Sequence, residues 1–524
     1  MAESTAGAAA GGGIKAVQTL SPESKGGKGK GLIASAKSEA AGGGAKAALS
    51  LKNAAVDSGA ATSVKKAASS SKLHKPDIFV RIRPLATEGG HAEDGTVLQK
   101  HLEDWDEKSV TVATQYLFSK GANKYAYPKR VFGTDASQQE VCDAMVPDLV
   151  ESFTTDRQSV LFFAYGQTGT GKTRTMLGTE PSLLSAAPHD DWGVFPRVCA
   201  MAFERVAALR QQGTKCVLTG SAIEFYLGEC FDLLSSSRHG NAPVQVDTLT
   251  HMPSGESCVV LEQQADLLSF IASVVANRTS RSTNFNKASA EHSGSSRSHA
   301  ALILTLATLG ESSREYSKST FTLVDLAGAE RPDKVKDEPK GGMPGMAPEF
   351  ICNLVDARDK GSMTQKDIDK LLPLNFQTRL INFELFALGN EVLKASECHQ
   401  KRKPFKLTPM ATPTIKFLSA ILDGRARLAM CVTLSPAGRN AWETWFSLQY
   451  GADLARLHAP RYPDKPRDVD KLHASAKKEA EKLRKELEGM AKDHRYYAMK
   501  KHKSDEAVEN VRRLELLIGP GGAT

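Results

Sequence analysis

Apolar and polar positions along the chain fall into three regimes. Up to about Lys75 large apolar side chains are nearly missing and Ala, Gly, Ser and Lys dominate, so the segment cannot bury enough surface to offset its ordering entropy. Residues 1–75 therefore read as a disordered tail. Patterning starts abruptly at DIFVRIRPL (Asp77 to Leu85), where alternating apolar residues predict a strand that Pro84 stops. Strand-like runs then alternate with helical periodicity: SVLFFAYG ending at Gly166, VLTGSAIEFYL from Val217, AALILTLATL from Ala300, FTLVDLAG from Phe321 and LAMCVTLSP from Leu428. Such alternation predicts an α/β fold over residues 76–457, a mostly mixed sheet with helices on both faces.

Beyond Leu457 the character changes. Residues 458–470 carry Pro460, Pro463 and Pro466 and read as an extended linker. Residues 471–518 are rich in helix formers, and Ala476, Ala480, Leu483, Leu487, Met490 and Tyr497 fall at three- and four-residue spacing, with His494 interrupting the seam. The reading is a charged helix that either packs back on its own domain or forms a short coiled coil, giving a weak homodimer.

Charge changes the picture only in the tail. The chain of 524 residues has a net charge of +8, but the first 75 residues hold eleven lysines and four acidic residues, a balance of +7. The patterned body is close to neutral, which argues against a nucleic-acid partner. No run approaches the roughly 20 apolar residues of a membrane span, and no signal-peptide core is seen at the N-terminus, so a cytoplasmic location is expected. Eight scattered cysteines without zinc-ligand spacing read as reduced thiols.

Chemistry concentrates at FFAYGQTGTGKTRTM (Phe162 to Met176). Gly166, Gln167, Thr168, Gly169, Thr170, Gly171, Lys172 and Thr173 satisfy the G-x-x-x-x-G-K-[ST] pattern after a strand and before a helix. The glycines let backbone N–H groups curl around phosphate oxygens. Lys172 would neutralise the β- and γ-phosphates of a triphosphate, and the Thr173 hydroxyl would bind Mg²⁺. Two further stretches suit a sensor of the γ-phosphate. GSSRSHA (Gly294 to Ala300) offers hydroxyls and an arginine, and DLAGAE (Asp325 to Glu330) closes a strand with an acid, a glycine and a second acid.

Together these stretches resemble the kinesin motor domain. The resemblance covers roughly Asp77 to Leu457 and rests on VRIRPL, VFG with QQEV, FFAYGQTGTGKTRTM, EFYLGECFDLL, SSRSH, VDLAGAE, INFELFALGNEV and TLSPAGRNAWETWFSLQYGADLARL, in that order. It implies that Arg81, Arg83 and Pro84 cradle the adenine and that Gly166 to Arg174 bind the nucleotide. It implies that Ser295 and Ser296 hold the γ-phosphate, the attacking water and Mg²⁺, that Asp325 orders the metal's water, and that Gly328 bonds the γ-phosphate. Arg297 and Glu330 resemble the salt bridge that closes on ATP. The helix INFELFALGNEVL (Ile381 to Leu393) would face tubulin, and the basic stretch from Lys394 to Lys406 would meet the acidic microtubule surface.

Four departures qualify the resemblance. His292 takes the place of an asparagine, implying a lost or pH-sensitive γ-phosphate contact and reduced turnover. Residues between Glu330 and Ile381, with KGGMPGM inside, suggest an insertion beside the tubulin face. Met410 and Pro413 stand where an arginine and a lysine are expected. The linker prolines would resist adding a strand to the sheet. Two functions remain open at this level: a microtubule-dependent ATPase motor, or a structural microtubule-binding protein with slow or no turnover, fixed for instance in a cilium, flagellum or other stable array.

Overall fold

The computed structural model describes residues 72–85, 101–113, 124–235, 244–247, 251–285, 298–328, 374–408 and 411–519, short gaps aside. The tail expected over residues 1–75, apart from 72–75, lies outside them. So do His292, Met410 and the expected insertion.

Fifteen strands are present among the described residues: β1 (Asp77–Ile82), β2 (Leu102–Trp105), β3 (Ser109–Val112), β4 (Lys124–Ala126), β5 (Arg130–Phe132), β6 (Ser159–Tyr165), β7 (Thr214–Tyr226), β8 (Glu229–Asp232), β9 (Gln245–Val246), β10 (Pro253–Ser254), β11 (Val259–Val260), β12 (His299–Gly310), β13 (Glu315–Asp325), β14 (Ala426–Leu434) and β15 (Arg467–Asp468). The helices are α1 (Gln138–Thr154), α2 (Lys172–Met176), α3 (Glu180–Leu183), α4 (Val194–Gln211), α5 (Gln264–Phe285), α6 (Leu374–Gln400), α7 (Pro413–Leu418), α8 (Ala441–Leu454), α9 (Val469–Glu488) and α10 (Tyr497–Ile518).

The main sheet runs β11-β7-β12-β13-β6-β14-β1-β5, with β8 on β7 and β15 on β13. It is mixed as the pattern predicts: β13, β6, β14 and β1 are parallel neighbours, while β7, β12 and β13 are antiparallel. Central strands read as unbroken apolar runs because both faces are buried. In β6, Leu161, Phe163 and Tyr165 enter one core with α6 and α8, and Val160, Phe162 and Ala164 enter the other with α1, α4 and α5. Side-chain alternation thus builds two cores from one strand. Among the described residues no helix is long and apolar enough to cross a membrane.

The C-terminal part differs in detail from its pattern. Instead of one helix over 471–518 there are two, α9 and α10, packed on each other, with α9 ending at Gly489. Leu514, Leu517 and Ile518 pack with Val469 against Leu309 and Tyr316 of the β12–β13 hairpin. Lys215 Nζ caps the end of α10 on Ile518 O at 3.1 Å, and Ser254 Oγ donates to Glu506 Oε2 at 2.6 Å. The linker is also held: Ala459 bridges His74, Tyr462 N bonds Gly424 O at 2.9 Å, and the Lys318 N–H bonds Asp464 Oδ2 at 2.7 Å. It adds a strand to β13 after all, but only as Arg467 and Asp468, which follow the last proline and so keep their N–H groups.

Candidate nucleotide site

Parallel pairing sets Asp325 of β13 beside Ala164 of β6, so the loop leaving β6 and the acid ending β13 emerge at the same sheet edge. Crevices outside the carboxyl ends of parallel strands are where α/β folds bind ligands. Within the loop, Gly169 and Gly171 take φ of 81° and 95°, the left-handed region that glycine alone enters freely. Gly166 is required for space, since a Cβ there would lie 2.3 Å from Thr433 O. Thr170 Oγ1 donates to Gln167 O at 2.8 Å and lies 2.7 Å from Thr433 Oγ1, pinning the loop to β14.

Lys172 folds back into the curl. Its Nζ donates to Gly166 O at 2.9 Å and Gln167 O at 3.0 Å, and the side chain is only 8% exposed. Thr173 Oγ1 donates to Asp325 Oδ2 at 3.2 Å, which brings together two of the residues expected around Mg²⁺. Gly328, three positions beyond Asp325 in the chain, is buried. Ser295, Ser296, Arg297 and Glu330 lie outside the described residues. Open glycine N–H groups, a buried ammonium and a hydroxyl–carboxylate pair form a donor set that suits a magnesium triphosphate.

The remaining sequence-predicted residues take distinct places. The Arg81 guanidinium points to the back of the loop, donating to Gln138 Oε1 at 2.6 Å and Thr175 Oγ1 at 3.0 Å, and burial lowers its pKa. Arg83 Nη1 donates to Pro84 O at 3.1 Å, and Pro84 is exposed. Thr168 is half-buried, and Arg174 pairs with Asp191 at 3.2 Å on the surface. Burial pushes Cys142 up to about 11 and Cys431 up to about 12, so both are neutral thiols behind the site.

Sequence reasoning missed the supports. Gln138 opens α1 and ties Arg81 to Arg174 O at 2.9 Å and Trp192 O at 3.3 Å. Its signals were its place at the head of QQEV and behind Ser137, whose Oγ accepts the Glu140 N–H as a helix cap, but neither pointed to a role beside the loop. Thr433 opens the TLSPAGRN stretch and His299 closes SSRSH, so both lie inside quoted motifs, but their contacts with Thr170 and Ala327 exist only once the strands are ordered.

Sheet order, loop and acid turn define a phosphate-loop nucleotide-binding domain. The model of the kinesin motor domain matches residues 81–342. The chain is 28% identical over 384 residues to Kinesin-like protein KIN-14M of Arabidopsis thaliana, covering 72% of this chain and 44% of that protein. To Kinesin-related protein 7 of Dictyostelium discoideum it is 25% identical over 462 residues, covering 84% and 31%. A solved structure of a fast kinesin aligns with a TM-score of 0.54 at 20% identity, over 75% of this chain and 94% of that one, a likeness of fold. The chain belongs to the kinesin motor-domain family, and it spans less than half the length of these two curated relatives.

Proposed function

We propose that the protein is an ATPase of the kinesin kind, coupling ATP binding and hydrolysis to movement or cycling attachment on microtubules. The observation that carries this reading is the contact of Thr173 with Asp325 at 3.2 Å beside Lys172 enclosed in its glycine curl. Gly166 to Thr173 would hold the phosphates, Arg83 and Pro84 would border the base, and Thr173, Ser296 and Asp325 would hold Mg²⁺ directly or through water. Bound Mg²⁺ supplies neutralisation of phosphate charge during transfer. Ser295, Arg297, Gly328 and Glu330 would sense and enclose the γ-phosphate, excluding water from a charged site.

The partner is polymerised tubulin. Supporting it are the match to the kinesin motor domain and the likeness in fold to a fast kinesin, a protein studied for its ATPase mechanism and interactions with microtubules. On this chain the tubulin-facing element would be α6, which extends to Gln400, so that the basic loop shortens to an exposed run with Lys401, Arg402, Lys403 and Lys406. Such a run suits an acidic polymer surface. Co-sedimentation with microtubules checks the reading: binding that differs several-fold between a non-hydrolysable ATP analogue and ADP supports it, and equal binding that is unchanged in Lys172→Ala contradicts it.

A further inference from the structure

His299 opens β12 and is 2% exposed. Its Nδ1 accepts the backbone N–H of Ala327 at 2.9 Å. An amide N–H only donates, so the neutral ring carries its proton on Nε2. That N–H faces Glu384 Oε2 of α6 across 3.7 Å, a gap too wide for a hydrogen bond. Neither His299 Nε2 nor Glu384 Oε1 has a hydrogen-bond partner among the described residues, and Oε2 receives only a long contact of 3.4 Å from Thr414 Oγ1 of α7.

A buried donor held short of a carboxylate is costly, and an approach of under about 1 Å gives the His299 Nε2–H a hydrogen bond to Glu384 Oε2. The β12 side of this gap is anchored: next to His299, Ser298 Oγ donates to Glu224 Oε1 of β7 at 2.7 Å, within the antiparallel ladder of β12 on β7. The other side belongs to α6, a helix packed on α7 and α8 rather than bonded into the sheet. Ala327 lies in the turn between Asp325, which touches the phosphate loop through Thr173, and Gly328. One imidazole therefore spans the acid turn and the helix.

We propose that His299 is a positioning residue that closes onto Glu384 when the acid turn moves, so that the state of the phosphate site is passed to α6. This rests on the ATPase reading above. Neither residue touches the phosphate loop, so the link governs how the partner on α6 accelerates turnover, not the basal chemistry.

The test is steady-state ATP hydrolysis with and without microtubules for the full chain, E384A and E384Q. E384A is expected to keep basal turnover and the KM for ATP within about twofold while its microtubule-stimulated kcat falls about fivefold. E384Q, whose amide oxygen still accepts the His299 N–H, should recover at least half of the stimulated rate. The double variant H299N/E384A should be no slower under stimulation than H299N alone. Should E384A fail to fold, Glu384→Met, similar in volume and lacking the acceptor, carries the same expectation. Full stimulation in E384A, parallel loss of basal and stimulated rates, or no rescue in E384Q overturns the proposal alone. A wild-type chain without any stimulation overturns the ATPase reading, and this proposal with it.

Discussion

The two ends of β13 make an instructive contrast. At one end Asp325 meets Thr173 of the phosphate loop; at the other, ten residues back, Glu315 and Tyr316 pair with the linker strand and pack under the C-terminal helices. At about 3.3 Å per residue the strand separates them by roughly 30 Å. The Asp325 end is built from short motifs in which each residue type is demanded by its chemistry: glycine for φ and, on the proposed function, lysine for phosphate charge and hydroxyl and carboxylate for Mg²⁺. The Tyr316 end is built from interchangeable apolar side chains and scattered polar contacts. Substitutions at the first end should abolish activity with little change in stability, and at the second should change stability with little change in nucleotide affinity.

The largest separation is expected from Lys172→Ala. Removing the enclosed ammonium should cut ATP turnover about 10²-fold or more, while the urea midpoint stays near that of the wild type. A matching loss of stability would break the contrast. Next comes Leu517→Ala: Leu517 is 4% exposed under α10, and the cavity should cost about 2–5 kcal/mol. Urea unfolding with hydrogen exchange on α9 and α10 reads this, with the KM for ATP unchanged.

A smaller effect involves Glu256, in the loop before β11 near Arg513 of α10. Burial raises its carboxyl from 4.5 to about 7. The folded state then holds a proton that the unfolded chain releases, so this contribution is fully present below about pH 4.5 and is lost as pH rises to about 7, amounting to roughly 3 kcal/mol. Unfolding free energy measured across pH 5 to 7.5 should fall more steeply for the wild type than for Glu256→Gln. Smallest is Ser254→Ala, which removes the 2.6 Å bond to Glu506 and should cost about 1 kcal/mol by the same unfolding assay.

The contrast also explains what was legible in the chain. Strands β6 and β14 announce themselves because burial on both faces leaves them almost wholly apolar, and the glycine loop does so because few residue types can do its work. The C-terminal segment was legible as helical but not as a hairpin. A charged helix with a thin apolar stripe suits a coiled coil as well as a doubled-back pair, and the choice falls to Leu514, Leu517 and Ile518 finding Leu309 and Tyr316. The linker prolines correctly disfavour pairing at their own positions, yet the strand forms one residue past Pro466. Arg81 reads as a nucleotide contact, but its partners Gln138 and Thr175 are 57 and 94 positions away, a proximity that only the assembled sheet creates.

The central claim is that the phosphate site at the Asp325 end drives work on a partner surface. Steady-state ATP hydrolysis by the full chain, with and without polymerised tubulin and beside Lys172→Ala, tests it most directly. The account predicts turnover that rises at least tenfold with microtubules, consistent with a partner-gated conformational step, and that vanishes in the Lys172→Ala chain. Turnover that ignores microtubules, or that survives the loss of Lys172, would contradict it.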